Sequence, residues 1–150
     1  MSDASRRARL LVGAYRLLAV EHHADDGEVG RPFGDGPQGF IVYTVEGLMS
    51  SILMRAGRPR FAAGDILAAT DAERVAAFSS SSAYAGRYEV VEDRIVHHLE
   101  VTTYPNWTGT DQVREFDVSE THLTLYPPRM LMEGKMRRGG VHFERMRGPQ

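Results

Sequence analysis

Cysteine is absent from the 150 residues. That excludes disulfides and thiolate metal sites, and it fits a cytoplasmic chain in a reducing compartment. No apolar run approaches the roughly 20 residues needed to span a bilayer as a helix, so no membrane partner is expected. Positive charge is not in excess: the formal net charge is -2, which leaves no basic footprint for nucleic acid. The glycine-rich segment from Gly27 to Gly39 lacks phosphate-loop spacing and precedes no helical pattern. The serine run Ser79 to Ser82 is not set in a Gly-x-Ser-x-Gly elbow. There is no internal repeat, no dividing linker and no βαβ alternation, so residues 1–150 read as one domain. Arg16 interrupts the apolar stretch near the N-terminus, and no small-residue cleavage site follows. That stretch therefore reads as a first strand rather than a signal peptide. Without a secretory signal, the Asn106-Trp107-Thr108 glycosylation pattern reads as chance.

What is present is a series of hairpins. Leu10 to Glu21 is apolar enough on both faces for a long, covered strand, and His22 to Gln38 is loop. Gly39 to Val45 and Leu48 to Arg55 flank the turn Glu46-Gly47, with Ala56 to Gly64 as loop beyond. Tyr88 to Val91 and Ile95 to Thr103 flank Glu92-Asp93; Gln112 to Val118 and His122 to Tyr126 flank Ser119-Glu120. Gly139-Gly140 opens a last strand, Val141 to Met146. One segment differs: Thr70 to Glu73 fits a capping box, and Ala72, Val75, Ala76 and Phe78 follow at helical spacing, ending in the serine run. About eight sequential strands must hide their edges, and closing into an up-and-down antiparallel barrel does so. The expectation is an all-β, eight-stranded barrel with one short helix, ahead of a two-sheet sandwich. Such a barrel has room for packed side chains or one small ligand.

Gly13-Ala14-Tyr15 near the start and Arg145 in the last strand are similar to the Gly-x-Trp opening and the covering Arg of lipocalin-type barrels, with Tyr in place of Trp. The similarity continues through Pro37-Gln38-Gly39, Tyr43, Gly47-Leu48-Met49-Ser50, Tyr84-Ala85-Gly86-Arg87-Tyr88, His97-His98, Glu100, Pro105-Asn106-Trp107, Gly109 and Arg114. Together these resemble the bacterial and fungal lipocalin-like domain family. The resemblance implies a calycin-type barrel but transfers no catalytic residue. Some members accompany polyketide and other natural-product pathways, and related barrels include cofactor-free cyclases.

The chemistry-bearing residues cluster between Ala83 and Arg114. His97 and His98 are adjacent on a strand, so they face opposite sides. Alternation puts His97 inside with Ile95, Leu99 and Val101, either as a proton carrier or as a core His with one hydrogen-bond partner. Were the other face inside, His98 and Glu100 would form an acid–base pair at i, i+2. That is also the spacing of two metal ligands, but no third ligand is evident beyond His122, so no metal and no cofactor is expected. Tyr43, Tyr84 and Tyr88 either donate to a ligand carbonyl or pack the barrel wall. Trp107 either covers the mouth or anchors its turn. Arg114 shares a face with Phe116 and needs a carboxylate such as Glu100, or an anionic ligand group, if it points inward. Met49 and Met54 fall on opposite faces of the strand Leu48 to Arg55, and Met130, Met132 and Met136 mark a segment that is a flap over the mouth, a homodimer contact or a mobile surface loop. The candidate catalytic set is His97, His98, Glu100 and Tyr88; the candidate ligand-binding set is Tyr43, Met49, Tyr84, Trp107, Arg114 and Phe116. Two functions follow: a binding module for a small apolar or polyketide-like ligand, or a cofactor-independent cyclase or isomerase using His, Tyr and Glu.

Overall fold

The computed structural model describes residues 2–148. Ten strands and two α-helices run in the order α1 (Asp3–Leu11), β1 (Gly13–Ala24), β2 (Val29–Gly30), β3 (Gln38–Tyr43), β4 (Leu48–Met54), α2 (Asp71–Ser79), β5 (Ser81–Val91), β6 (Arg94–Thr102), β7 (Asp111–Val118), β8 (His122–Tyr126), β9 (Met130–Met132) and β10 (Lys135–Arg145), with a 3-10 turn at Pro105–Trp107 before β7. Eight of the strands form a closed antiparallel barrel, in which β1 pairs with β3 on one side and with β10 on the other. The two extra strands, β2 and β9, are short pieces at the mouth. Closure leaves only these as edges, which is how an antiparallel fold avoids presenting an unpaired strand.

The expected barrel is present, with three differences. A second helix, α1, replaces the first residues assigned to strand β1: Leu10 and Leu11 are helical. Ser2 caps it by accepting from the Ser5 amide, and Asp3 sits in its first turn. β5 begins at Ser81, so part of the serine run that ends α2 is already strand. The Met-rich segment is no structureless loop: Met130–Met132 pairs with Lys135–Arg137 as a hairpin, turned by Glu133 and Gly134, both at positive φ.

The anticipated capping box on α2 is complete, with Thr70 accepting from the Glu73 amide and Glu73 from the Thr70 amide. The apolar density of β1 on both faces has a local cause. A bulge between Leu17 and Ala19 breaks strict alternation, so Leu17 and Val20 point inward while Leu18 is outside. A second bulge, between Ala85 and Gly86 opposite β6, matters more for the site. A Cβ on Gly86 would lie 1.9 Å from the His98 carbonyl oxygen, so only glycine lets β6 approach this closely. Here the alternation of β6 changes hand: His97 and Leu99 are buried, while Glu100 and Val101 are exposed. Val101 therefore leaves the inward set to which simple alternation assigned it.

The base of the barrel is packed solid. Tyr15, Leu11, Ile41, Ile95, Leu123 and Phe143 are buried to 1% exposure or less. Helix α1 caps this end, with Leu11 inside and the Arg7 guanidinium 4.1 Å over the Phe116 ring. The expected pairing of Arg145 with Tyr15 is present at 4.7 Å. Arg145 also donates to the carbonyls of Val12, Leu10 and Ser119, tying helix, first strand and last hairpin together. Gly13, at φ 147, leaves space for that guanidinium; a Cβ there would sit 2.6 Å from its Nη1.

Candidate functional site

The opposite end is hollow. A cavity of about 320 Å³ opens between β1, β4, β5, β8 and β10 and the segments that cross the mouth. Its apolar wall comes from Val20, Phe33, Leu53, Trp107, Leu125 and Val141, with Met130 and Met132 of the β9 hairpin at the rim. Small residues keep it open: Ser51, Ser79 and Ser82 stand where the base carries rings and branched aliphatics. Besides these serines, its polar residues are Tyr84, Arg114, His22, Arg137 and Glu21, the last bonded to His142 at 3.1 Å.

Deep in the barrel, three of the candidate residues form a single array. The Tyr43 hydroxyl lies 2.8 Å from His97 Nε2, and the Tyr84 hydroxyl lies 3.4 Å from His97 Nδ1. His97 is fully buried. Burial, then the nearby Arg114 charge, lowers its pKa to about 3. The ring is therefore neutral, and it donates from one nitrogen and accepts at the other, each facing one tyrosine. Burial likewise raises the Tyr43 and Tyr84 hydroxyls above their ordinary value, with Arg114 pulling in the opposite direction on both. His97 and Tyr43 do not reach the cavity wall; Tyr84 and Arg114 do.

Arg114 is 5% exposed. Its guanidinium donates to the Val113 carbonyl at 3.1 Å and to Gln112 Oε1 at 3.4 Å, both on its own strand. The expected pair with Glu100 does not form, because Glu100 follows inward-facing Leu99 and lies on the outer face of β6, exposed to solvent. The second cavity arginine differs. Arg137, 2% exposed, donates to Glu28 at 3.3 Å, with Glu133 at 3.9 Å and His22 Nδ1 at 3.3 Å.

The remaining candidates lie elsewhere. His98 is on the outer face, bridging Asp111 at 2.7 Å and Glu89 at 2.9 Å. The bonds to these carboxylates raise its pKa. It forms no inward pair with Glu100, since both point to solvent. Tyr88 faces inward near the base and donates to the Thr44 carbonyl at 2.7 Å, its ring edge-on to Tyr43 at 4.9 Å. Met49 and Phe116 belong to the packed core below the cavity. Trp107 both anchors its turn, 5.3 Å from Tyr104, and lines the cavity, 6.2 Å from Tyr84. The Met-rich hairpin contributes Met130 and Met132 to the rim, while Leu131 and Met136 face solvent. His22, Ser51, Phe33 and Arg137 were not singled out from the sequence. Period-two counting along β4 from Met49 marks Ser51 as inward, whereas counting along β1 from Tyr15 reaches His22 only once the bulge is placed. Phe33 sits in a loop without periodicity.

A single-ended cavity in an eight-stranded barrel whose base is sealed by an arginine over an aromatic ring defines a calycin-type binding barrel. The model of the lipocalin-like domain family matches residues 12–146, and the chain belongs to that family. Among curated proteins it is similar to the 4'-hydroxy-3'-methoxypropiophenone carrier protein ppsC of Aspergillus oryzae, with 36% identity over 85 residues, spanning 51% of this chain and 77% of the relative. No helix among the described residues is long and apolar enough to cross a membrane.

Proposed function

We propose that this barrel is a carrier for one small, mostly apolar molecule of the polyketide or aryl-ketone kind, held in the mouth cavity and released unchanged. The observation that carries this reading is the contrast within one closed barrel. One half is filled, and the other encloses about 320 Å³ behind a largely apolar wall with Tyr84 and Arg114 at its inner end. An apolar body would gain roughly 25 cal/mol for each Å² it buries there, and the polar groups would fix its orientation. The relative from Aspergillus oryzae, named as a carrier of a hydroxylated, methoxylated aryl ketone, supports the same class of cargo. The cysteine-free sequence supports a cytoplasmic setting.

A cyclase or isomerase would need a proton carrier at the cavity wall. Of the four candidates, His97 is neutral and enclosed, Tyr88 is engaged by Thr44, and His98 and Glu100 point outward. None of the four lines the cavity, and this favours the carrier. The test is a titration with prodan, a neutral naphthyl ethyl ketone whose emission moves to the blue in apolar surroundings. Saturable binding with a blue shift is expected for the native protein, and its loss in Ser51→Phe, which places a ring in the cavity of a still-folded barrel. A blue shift that Ser51→Phe leaves intact would place the dye elsewhere and refute the carrier site.

A further inference from the structure

The two buried arginines of the cavity are not equivalent. Arg137 has Glu28 and Glu133 within ion-pair distance. Arg114 is also buried, yet among the described residues it donates only to the Val113 carbonyl at 3.1 Å and, more weakly, to the neutral amide oxygen of Gln112 at 3.4 Å, both on its own strand, with the Tyr84 hydroxyl beside it. No ion pair among the described residues includes it; the ion pairs of the mouth belong to Arg129, Lys135 and Arg137. A guanidinium carries five N–H donors in a planar fork suited to two oxygens of an anion, and a buried charge without a counter-charge is costly. The wall beside it adds the Tyr84 hydroxyl, whose proton is retained because burial raises its pKa. Nothing among the described residues supplies a counter-charge to this guanidinium at the closed end of a largely apolar pocket. A ligand would supply it.

We propose that Arg114, with the Tyr84 hydroxyl beside it, is the docking point for an anionic oxygen on the ligand, so that the barrel takes up weak acids in their ionised form. This rests on the carrier reading and adds to it the chemistry of the ligand's leading end. That oxygen belongs either to a phenolate or enolate or to a carboxylate; both would enter oxygen-first, with the apolar body filling the wider part of the cavity towards the rim.

Three probes of one shape separate the cases: para-nitrophenol, para-nitrobenzoate and neutral para-nitroanisole, each titrated by calorimetry at a pH where the first two are ionised. At least one of the anions should bind the native protein about tenfold or more tightly than the anisole. If that anion is the phenolate, its visible absorption band should appear at lower pH in the complex than in free solution. If it is the benzoate alone, the site is a carboxylate site. In Arg114→Met the ratio of anion to anisole affinity should fall to about one, and Arg114→Lys should retain part of it. The urea midpoint gives a second, ligand-free readout. Arg114→Met should leave it unchanged or raise it, because an unneutralised buried charge is replaced by an apolar chain, whereas Arg137→Met, which removes a buried guanidinium from its pair with Glu28 and its bond to the Met132 carbonyl, should lower it. Equal affinity for all three probes, a preference that survives in Arg114→Met, or a midpoint lowered in Arg114→Met as far as in Arg137→Met would each overturn the proposal. Failure of the anisole and both anions to bind at all would remove the carrier reading itself.

Discussion

The base and the mouth of this barrel are built from the same eight strands and end up opposite in character. β1 contributes Tyr15 and Leu17 to the solid base, then Val20 and His22 to the hollow mouth. β7 does the same in reverse, with Arg114 above and Phe116 below. Side-chain size differs sharply between the two ends. At the base, the buried rings of Tyr15, Tyr43 and Phe143 belong to one packed core, Phe143 reaching up to the cavity floor, and α1 and Arg145 close what remains. At the mouth, serines at 51, 79 and 82 leave the axis empty, and the loop through Phe33 and the β9 hairpin stand around the opening. Inward alternation specifies which residues face the axis, and the volumes of those residues specify where the axis is filled.

The largest expected effect tests the base. Tyr15→Ala removes a fully buried ring that also donates to the Leu11 carbonyl at 2.7 Å. It should cost about 3–5 kcal/mol in urea unfolding. Met130→Ala, at the half-buried rim, should cost about 1 kcal/mol or less. Equal losses at the two positions would break the contrast between a packed and an open end.

His97 marks the floor between the two halves, and acid probes it. Its pKa in the folded chain is about 3, below the ordinary value of 6.5. The neutral ring therefore contributes fully above pH 6.5, and stability drains away as pH falls from there towards 3, because the unfolded chain binds a proton that the folded one refuses. Relative to His97→Gln, the native protein should lose about 1.4 kcal/mol per pH unit across that window. Parallel pH profiles for the two would show that the ring is not sealed beneath the cavity.

The smallest effect is expected on the outside. His98 has a raised pKa through Asp111 and Glu89. Its contribution is complete below 6.5 and disappears as pH rises through the raised folded value. Because the pair is largely solvated, His98→Ala should change stability by less than about 1 kcal/mol, and salt should erase the difference. Its sign of pH dependence is opposite to that of His97, which gives adjacent residues on one strand a clean inside–outside signature in the melting temperature.

The barrel, the α2 capping box, the turns at Glu46-Gly47 and Glu92-Asp93 and the Arg145–Tyr15 seal were all legible in the sequence, because each is set by local pattern or by a short motif. The inward placement of His97, Phe116 and Arg114 followed from alternation. Helix α1 was hidden because Leu10 and Leu11 run directly into the apolar β1, and the signal that separates them, Ser2 followed by Asp3, lies at the far end of the helix. The outward turn of Val101 was not legible. It depends on a bulge that only the close approach permitted by Gly86 makes possible. The division of the inward residues into floor and wall also lay beyond the sequence. Tyr43 and Tyr84 sit on different strands and meet only through the His97 ring.

Methionine methyl resonances offer the most direct measurement, since this side chain occurs in both halves. Met130 and Met132 border the cavity, and Met49 lies in the packed core at 3% exposure. In methyl-labelled protein titrated with prodan, the Met130 and Met132 signals should move together to saturation while Met49 stays in place. Movement of Met49 with Met130 and Met132 unmoved would contradict a guest held in the mouth above a filled base.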